Sequence, residues 1–283
     1  MWESWNQFWW KRESGHALAG FRILFGLYLL QFFLLFLPKV EVAFSSYGVY
    51  VPHRIPDLGL PPGLAWMLYG LTLAVIAAFT LGFVTRLITP ILTALYIYYY
   101  LLNFATRTAA FDRLTLFLLL MACLSDLDRV WSITARLRPA AAASRTVPVW
   151  AARTIQLQFS FFYLFSGLFK LSSHSWHQPE MLYWTFCGIW ATPLAQKIVS
   201  FGLPLWFYGV LAWSVMLFEI FMAVAIWVPK LRLWACFFGV LFHVSNIVFL
   251  GIPEFLNCVA TYPLFFPAAQ VLSGFGRNRA LTR

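Results

Sequence analysis

Charge is what this sequence has least of. Only 11% of its 283 residues are Asp, Glu, Lys or Arg, and only ten of them are acids. A soluble domain carries about 25% charged residues, so this chain cannot cover a globule of its own length with a hydrated shell. Cysteine is scarce too. Cys123, Cys187, Cys236 and Cys258 form no C-x-x-C pair, which argues against a disulfide framework and a cysteine metal site and leaves small buried apolar side chains. Gly-rich phosphate loops, a G-x-S-x-G elbow and an H-E-x-x-H helix are all missing, which sets aside the common soluble-enzyme classes. His174 and His177 have the spacing of metal ligands, but no third ligand stands near them, so no metal is expected. The net charge of +10 comes without a solvated basic face, so nucleic acid is not expected as a partner.

What the chain has instead is apolar length. Hydrophobic residues make up 61%, aromatics 20%, and the mean hydropathy is +0.75. A helix needs about 20 apolar residues to cross a bilayer. Spans are expected near Ala17–Leu37, Leu64–Phe83, Leu87–Leu102, Leu114–Val130, Trp150–Leu171, Leu203–Val228, Leu233–Leu250 and Phe255–Leu272. The expected fold is therefore an all-α polytopic membrane protein of about eight transmembrane helices, a single membrane domain over residues 1–283. The first run is too long for a signal peptide and lacks a small-residue cleavage site, so it should stay as the first span. Pro38–Gly63 reads as an ordered loop. Ser172–Gly202 reads as an interfacial or re-entrant stretch anchored by Trp176, Trp184 and Trp190.

Basic residues orient the spans. With the N-terminus inside, Lys11, Arg12, Arg86, Arg129, Arg136, Arg138, Arg145, Lys230, Arg232, Arg277, Arg279 and Arg283 fall inside. Lys39, Arg54, Arg107, Arg113, Lys170 and Lys197 fall outside. Arg22 and Arg153 remain within spans. The bias follows the positive-inside rule and predicts both termini in the cytoplasm.

Polar groups at membrane depth are expensive and mark function. In the fifth span Arg153, Gln156, Ser160, Tyr163, Gly167 and Lys170 recur every three or four residues, a polar stripe on one helix face. Phe159, Phe161, Phe162, Leu164, Phe165 and Leu168 take the other faces. The stripe must face protein or water. Lys170 lies roughly 30 Å along the helix from Trp150, at the outer boundary. One reading is a lysine snorkelling to the headgroups. The other is a partly desolvated amine able to act as a base. The seventh span carries Cys236, Gly239, His243 and Asn246 on one face. Glu219 in the sixth span lies at a depth matching His243, so the two are expected to pair. Arg22 is expected to snorkel or pair, and Asp126 and Asp128 to form a solvated interface cluster. Asp112 and Arg113 fall on the side where Lys170 emerges, within reach of a shared pocket. His16 and His53 read as ordinary interfacial residues.

Several segments together resemble one family. They are "ALAGFRILFGLYLL" from Ala17, "SDLDRVWSI" from Ser125, "QLQFSFFYLFSGLFKLSSHSW" from Gln156, "FEIFMAVAIWVPKLRLWACFFGVLFHVSN" from Phe218, and "GIPEFLNCVATYPLFF" from Gly251. Their order and spacing resemble the horizontally transferred transmembrane (HTTM) domain family, the membrane part shared with vitamin K-dependent gamma-carboxylases. The resemblance implies a lyase-like enzyme using a reduced quinone as cofactor, in a bacterial inner membrane. It implies a catalytic Lys170, which deprotonates the hydroquinone, and a catalytic His243. Asn246, Glu219, Tyr163 and Asp112 are then expected to bind substrate, with membrane lipids and a lipid-soluble small molecule as partners. Where the carboxylases carry a histidine near the start of the fourth span, this chain reads Phe111–Asp112. Their large lumenal domain is not expected after the eighth span, so protein glutamate carboxylation is not the expected activity. The contrasting expectation is a non-catalytic scaffold or carrier that keeps the fold for lipid binding.

Overall fold

The computed structural model describes residues 2–48, 58–102, 110–139 and 144–267. His53, Arg54, Arg107, the last three arginines and the end of the eighth expected span lie outside them. Of these described residues, 78% are helical. Among the described residues, four segments are long and apolar enough to cross a membrane: His16–Phe44, Pro62–Leu81, Leu205–Ala225 and Pro229–Leu250. Two compact units are present, residues 1–155 with 260–283, and residues 156–259.

The first unit opens with α1 (Trp2–Trp10), strand β1 (Arg12–Ser14) and α2 (His16–Leu34), and continues through α3 (Val40–Phe44), α4 (Pro62–Leu81), α5 (Thr85–Leu102), α6 (Ala110–Cys123) and α7 (Ile133–Leu137). Strand β2 (Thr146–Pro148) pairs antiparallel with β1, Glu13 opposite Val147. Aromatic rings fill the core. Phe21, Phe25, Phe32 and Phe33 of α2 are buried with Phe79, Tyr96 and Tyr99. Each buried tyrosine needs a partner for its hydroxyl. Tyr69 donates to the Phe33 carbonyl at 2.9 Å, Tyr28 meets Thr115 Oγ1 at 3.2 Å, and Tyr96 donates to Asp112 Oδ1 at 2.9 Å.

Arg22 pairs rather than snorkels. It is fully buried, and its guanidinium donates to the carbonyls of Thr80 (3.3 Å), Leu127 (2.5 Å), Val130 (3.5 Å) and Trp131 (2.5 Å). This explains a correction. The fourth span was expected to reach Val130, but α6 ends at Cys123. Beyond it the carbonyls that a helix would have consumed are bound by Arg22. The turn after α4 is built around the same group. Gly82 adopts φ +69°, and a Cβ there would lie 2.7 Å from Arg22 Nη1. Nearby, Asp128 accepts from the Thr85 amide at 3.2 Å, a carboxylate at a helix start. Asp126 is bound by Arg86 at 3.0 Å and Arg129 at 3.3 Å.

In the second unit α8 (Trp150–Ser172), whose first turns belong to the first unit, leads into α9 (His174–His177), α10 (Glu180–Cys187) and α11 (Pro193–Ser200). The long helices α12 (Leu205–Ala225) and α13 (Pro229–Leu250) follow. The Ser172–Gly202 stretch is thus a set of short helices. Leu182, Phe186 and Ala195 from it close a core with Tyr208 and Ala212 of α12. Trp184 and Trp190 stay exposed, while Trp176 packs against this core. Arg232 turns back to the Ile226 and Trp227 carbonyls and caps α12. Past α13 the expected eighth span is not one helix where it is described. Short turns run over Pro253–Phe255, Leu256–Ala260 (α14) and Tyr262–Phe265, broken where Pro253 and Pro263 cannot continue a helical ladder.

Replacing Arg22 by Met leaves buried carbonyls without a donor, and each such group costs about 1–3 kcal/mol. Arg22→Met should lower the unfolding midpoint in detergent strongly. Arg22→Lys, one point charge for a planar fork, should recover only part of the loss.

Candidate functional site

The polar stripe of α8 carries the site. Gln156 and Tyr163 are buried, whereas Phe161, Phe165, Leu168 and Phe169 are exposed, a face suited to lipid. Phe159 was expected on an apolar face, but it is buried against Tyr163, with ring centroids 4.7 Å apart.

Lys170 ends the stripe, and its direction decides between the two expected readings. Side chains on a helix lean toward its N-terminus. Lys170 follows this and reaches back one turn, where Nζ donates to Ser166 Oγ at 2.7 Å. It also donates to both carboxylate oxygens of Glu219, at 2.8 and 2.6 Å. Ser166 in turn donates to Glu219 Oε1 at 3.1 Å. The side chains of the pair are 17% and 8% exposed, so this amine points inward to a carboxylate and does not snorkel out. The Trp176 ring lies over it, 5.2 Å from Nζ.

Gly167 makes this approach possible. A Cβ there would sit 2.7 Å from Ile220 Cγ1, 3.1 Å from the Ile220 amide nitrogen and 3.2 Å from Glu219 Cβ. The backbone of α12 therefore passes where only a hydrogen fits.

The second polar pair lies two turns earlier on α8. Tyr163 Oη and His243 Nε2 are hydrogen-bonded at 2.5 Å. Tyr163 is also a hydrogen-bond partner of the Cys258 thiol. The expected Glu219–His243 pair is not formed. Both side chains turn to α8 and meet it at different heights, Lys170 and Tyr163 being seven residues or roughly 10 Å apart. An ammonium also binds a carboxylate more strongly than a neutral ring does. His243 Nδ1 is buried and has no hydrogen-bond partner among the described residues. Asn246, one turn beyond His243, has a carboxamide with none either.

Asp112 belongs to the first unit, where it is buried and bound to Tyr96. His174 and His177 have separate partners. His177 Nε2 donates to the Leu171 carbonyl at 2.8 Å, its ring stacks on Trp213, and His174 meets Gln178. Among the described residues, no three His, Cys, Asp or Glu side chains form a metal-binding group.

The model of the HTTM domain matches residues 10–269. The chain belongs to the HTTM domain family. That domain is a membrane domain associated with carboxylase-like proteins. No curated protein and no solved structure matches the chain. The HTTM match spans both polar pairs and the segments quoted for the resemblance.

Ser166 and Trp176 are the two contacts that sequence reading missed. Ser166 stands four residues before Lys170, the distance at which helix side chains meet, so its place was open to inference. Trp176 was read as a membrane anchor, because the fold of α9 has no pattern of its own.

Substituting Gly167 tests the site's close packing. Gly167→Leu should push α12 from α8 and open the Lys170–Glu219 pair. Labelling of Lys170 by a membrane-permeant amine reagent should rise, and unchanged labelling with an unchanged melting midpoint would contradict the packing.

Proposed function

We propose that this HTTM protein is a membrane-embedded, quinol- or lipid-dependent enzyme of carboxylase-like, lyase type, with Lys170 as its base. The supporting observation is the inward Lys170–Ser166–Glu219 cluster. An ammonium facing a carboxylate at 2.6 Å can pass it one proton without changing the pair's total charge. The free amine so formed is a base, able to take a proton from a substrate hydroxyl. Glu219 would hold the proton and Ser166 would keep the two groups aligned. Such a neutral exchange suits a low-dielectric site, where isolated charges are costly.

His243 and Asn246 would position the substrate, with Tyr163 fixing the His243 ring. The unpaired His243 Nδ1 and the Asn246 carboxamide fit a reduced quinone or similar lipid-soluble molecule, because they leave polar atoms for its oxygens amid apolar neighbours. Once bound, such a quinol would supply the reducing electrons. The frame for this chemistry would be about eight spans with both termini inside, in a bacterial inner membrane, and a pocket opening outward. A second reading keeps the same fold as a non-catalytic lipid-binding scaffold, in which the ion pair only joins two helices.

The two readings separate on charge exchange. Lys170→Ala and Lys170→Arg should each abolish complementation of a deletion strain while the protein still accumulates in membranes. The double variant Lys170→Glu with Glu219→Lys restores an ion pair. It should accumulate as well but not complement, and full complementation by it or by both single variants would refute the base.

A further inference from the structure

The second unit holds a cavity of about 470 Å³ among α10, α11, α12 and α13. Lys170, Glu219, Tyr163 and His243 do not line it. The α12 wall is one helix face, Phe207, Leu211, Ser214, Val215 and Phe218, rotated one residue from the face that carries Glu219. Phe218 and Phe242 touch at 4.9 Å between ring centroids and form its end wall. Behind them, Phe218 packs on Tyr163 and Phe242 on His243. An aromatic pair thus stands between this cavity and the Tyr163–His243 hydrogen bond.

The polar inventory of the lining is short. Among the described residues, no charged side chain lines it. Ser214 and Ser245 spend their protons on carbonyls of their own helices, at 2.8 Å to Val210 and 2.7 Å to Phe242. The Asn246 carboxamide has no hydrogen-bond partner among the described residues. It is shared by two faces of α13, lying three residues beyond His243 and four beyond Phe242. The size falls within the range of small-molecule pockets, about 300–1,000 Å³, and so does the balance of apolar walls with one convergent polar group.

We infer that this cavity binds one uncharged, single-chained lipid, its chain between α12 and α13 and its one hydrogen-bonding oxygen at Asn246. A charged headgroup would find no counter-ion there. A two-chained phospholipid would exceed the space. A carbonyl or hydroxyl oxygen matches the donor and acceptor of a carboxamide. The inference goes beyond the proposed function and does not rest on it, since Lys170 does not line the cavity. The binding itself stands on the cavity and Asn246.

The test uses the full chain in nanodiscs and three probes of equal chain length, each bearing a diazirine: hexadecanol, hexadecane and palmitate. On irradiation the hexadecanol probe should label peptides 207–218 and 238–250 saturably. Val215→Trp, which fills the cavity, should abolish that labelling. Asn246→Leu, close in volume, should weaken labelling by the alcohol about five-fold, the worth of one hydrogen bond, and leave labelling by the alkane unchanged. Lys170→Arg, which keeps a cation facing Glu219 and is expected to lose complementation, should leave all labelling as it is, so failure of the catalytic reading and failure of this site are told apart. Labelling that rises linearly with probe on every lipid-facing helix would overturn the inference. So would labelling indifferent to Val215→Trp, alcohol labelling indifferent to Asn246→Leu, or stronger labelling by palmitate than by the alcohol.

Discussion

The ion pair between Lys170 and Glu219 is the interaction on which the second unit depends. Two charges in an apolar setting are tolerated only when they meet with good geometry and further hydrogen bonds. The chain meets that demand with local devices. Lys170 leans back along its helix, Ser166 bridges the two groups, and Trp176 covers the amine. Gly167 removes the side chain that would hold α12 away. Removing either charge would leave the other stranded, whereas removing the glycine's gap would separate both.

The same rule organises the first unit with different chemistry. Arg22 has no carboxylate among its bonded partners and satisfies its guanidinium with carbonyls left over where helices end. Arg232 does this again at the end of α12. Buried polar groups in folded proteins are nearly always bonded. Against that background the free atoms stand out. Among the described residues His243 Nδ1 is one such atom. The Asn246 carboxamide, one helical turn beyond it, has no partner either and lines an apolar cavity from which Phe242 separates His243.

The helical, membrane character of the chain was legible from its apolar runs, and the HTTM family from the order of its quoted segments. The three-and-four spacing in the fifth span located the stripe, because helix geometry fixes which residues share a face. Depth did not give the partners. Glu219 and His243 lie at similar depth on adjacent spans, yet each bonds to α8 instead, since side-chain direction is set by packing and not by distance from a helix end. The end of α6 was misplaced for a related reason. Hydropathy continues past Cys123, but Arg22 collects the carbonyls that follow, and no local pattern announces a contact a hundred residues away. The cavity was illegible as well, because it is the space left between four helices.

A double-mutant cycle on Lys170→Met and Glu219→Gln, read as unfolding free energy in detergent, tests the central claim most directly. A paired charge predicts that each single variant destabilises strongly and that the double variant recovers, with a coupling of roughly 2–4 kcal/mol. Additive effects, with no coupling between the two positions, would contradict the account.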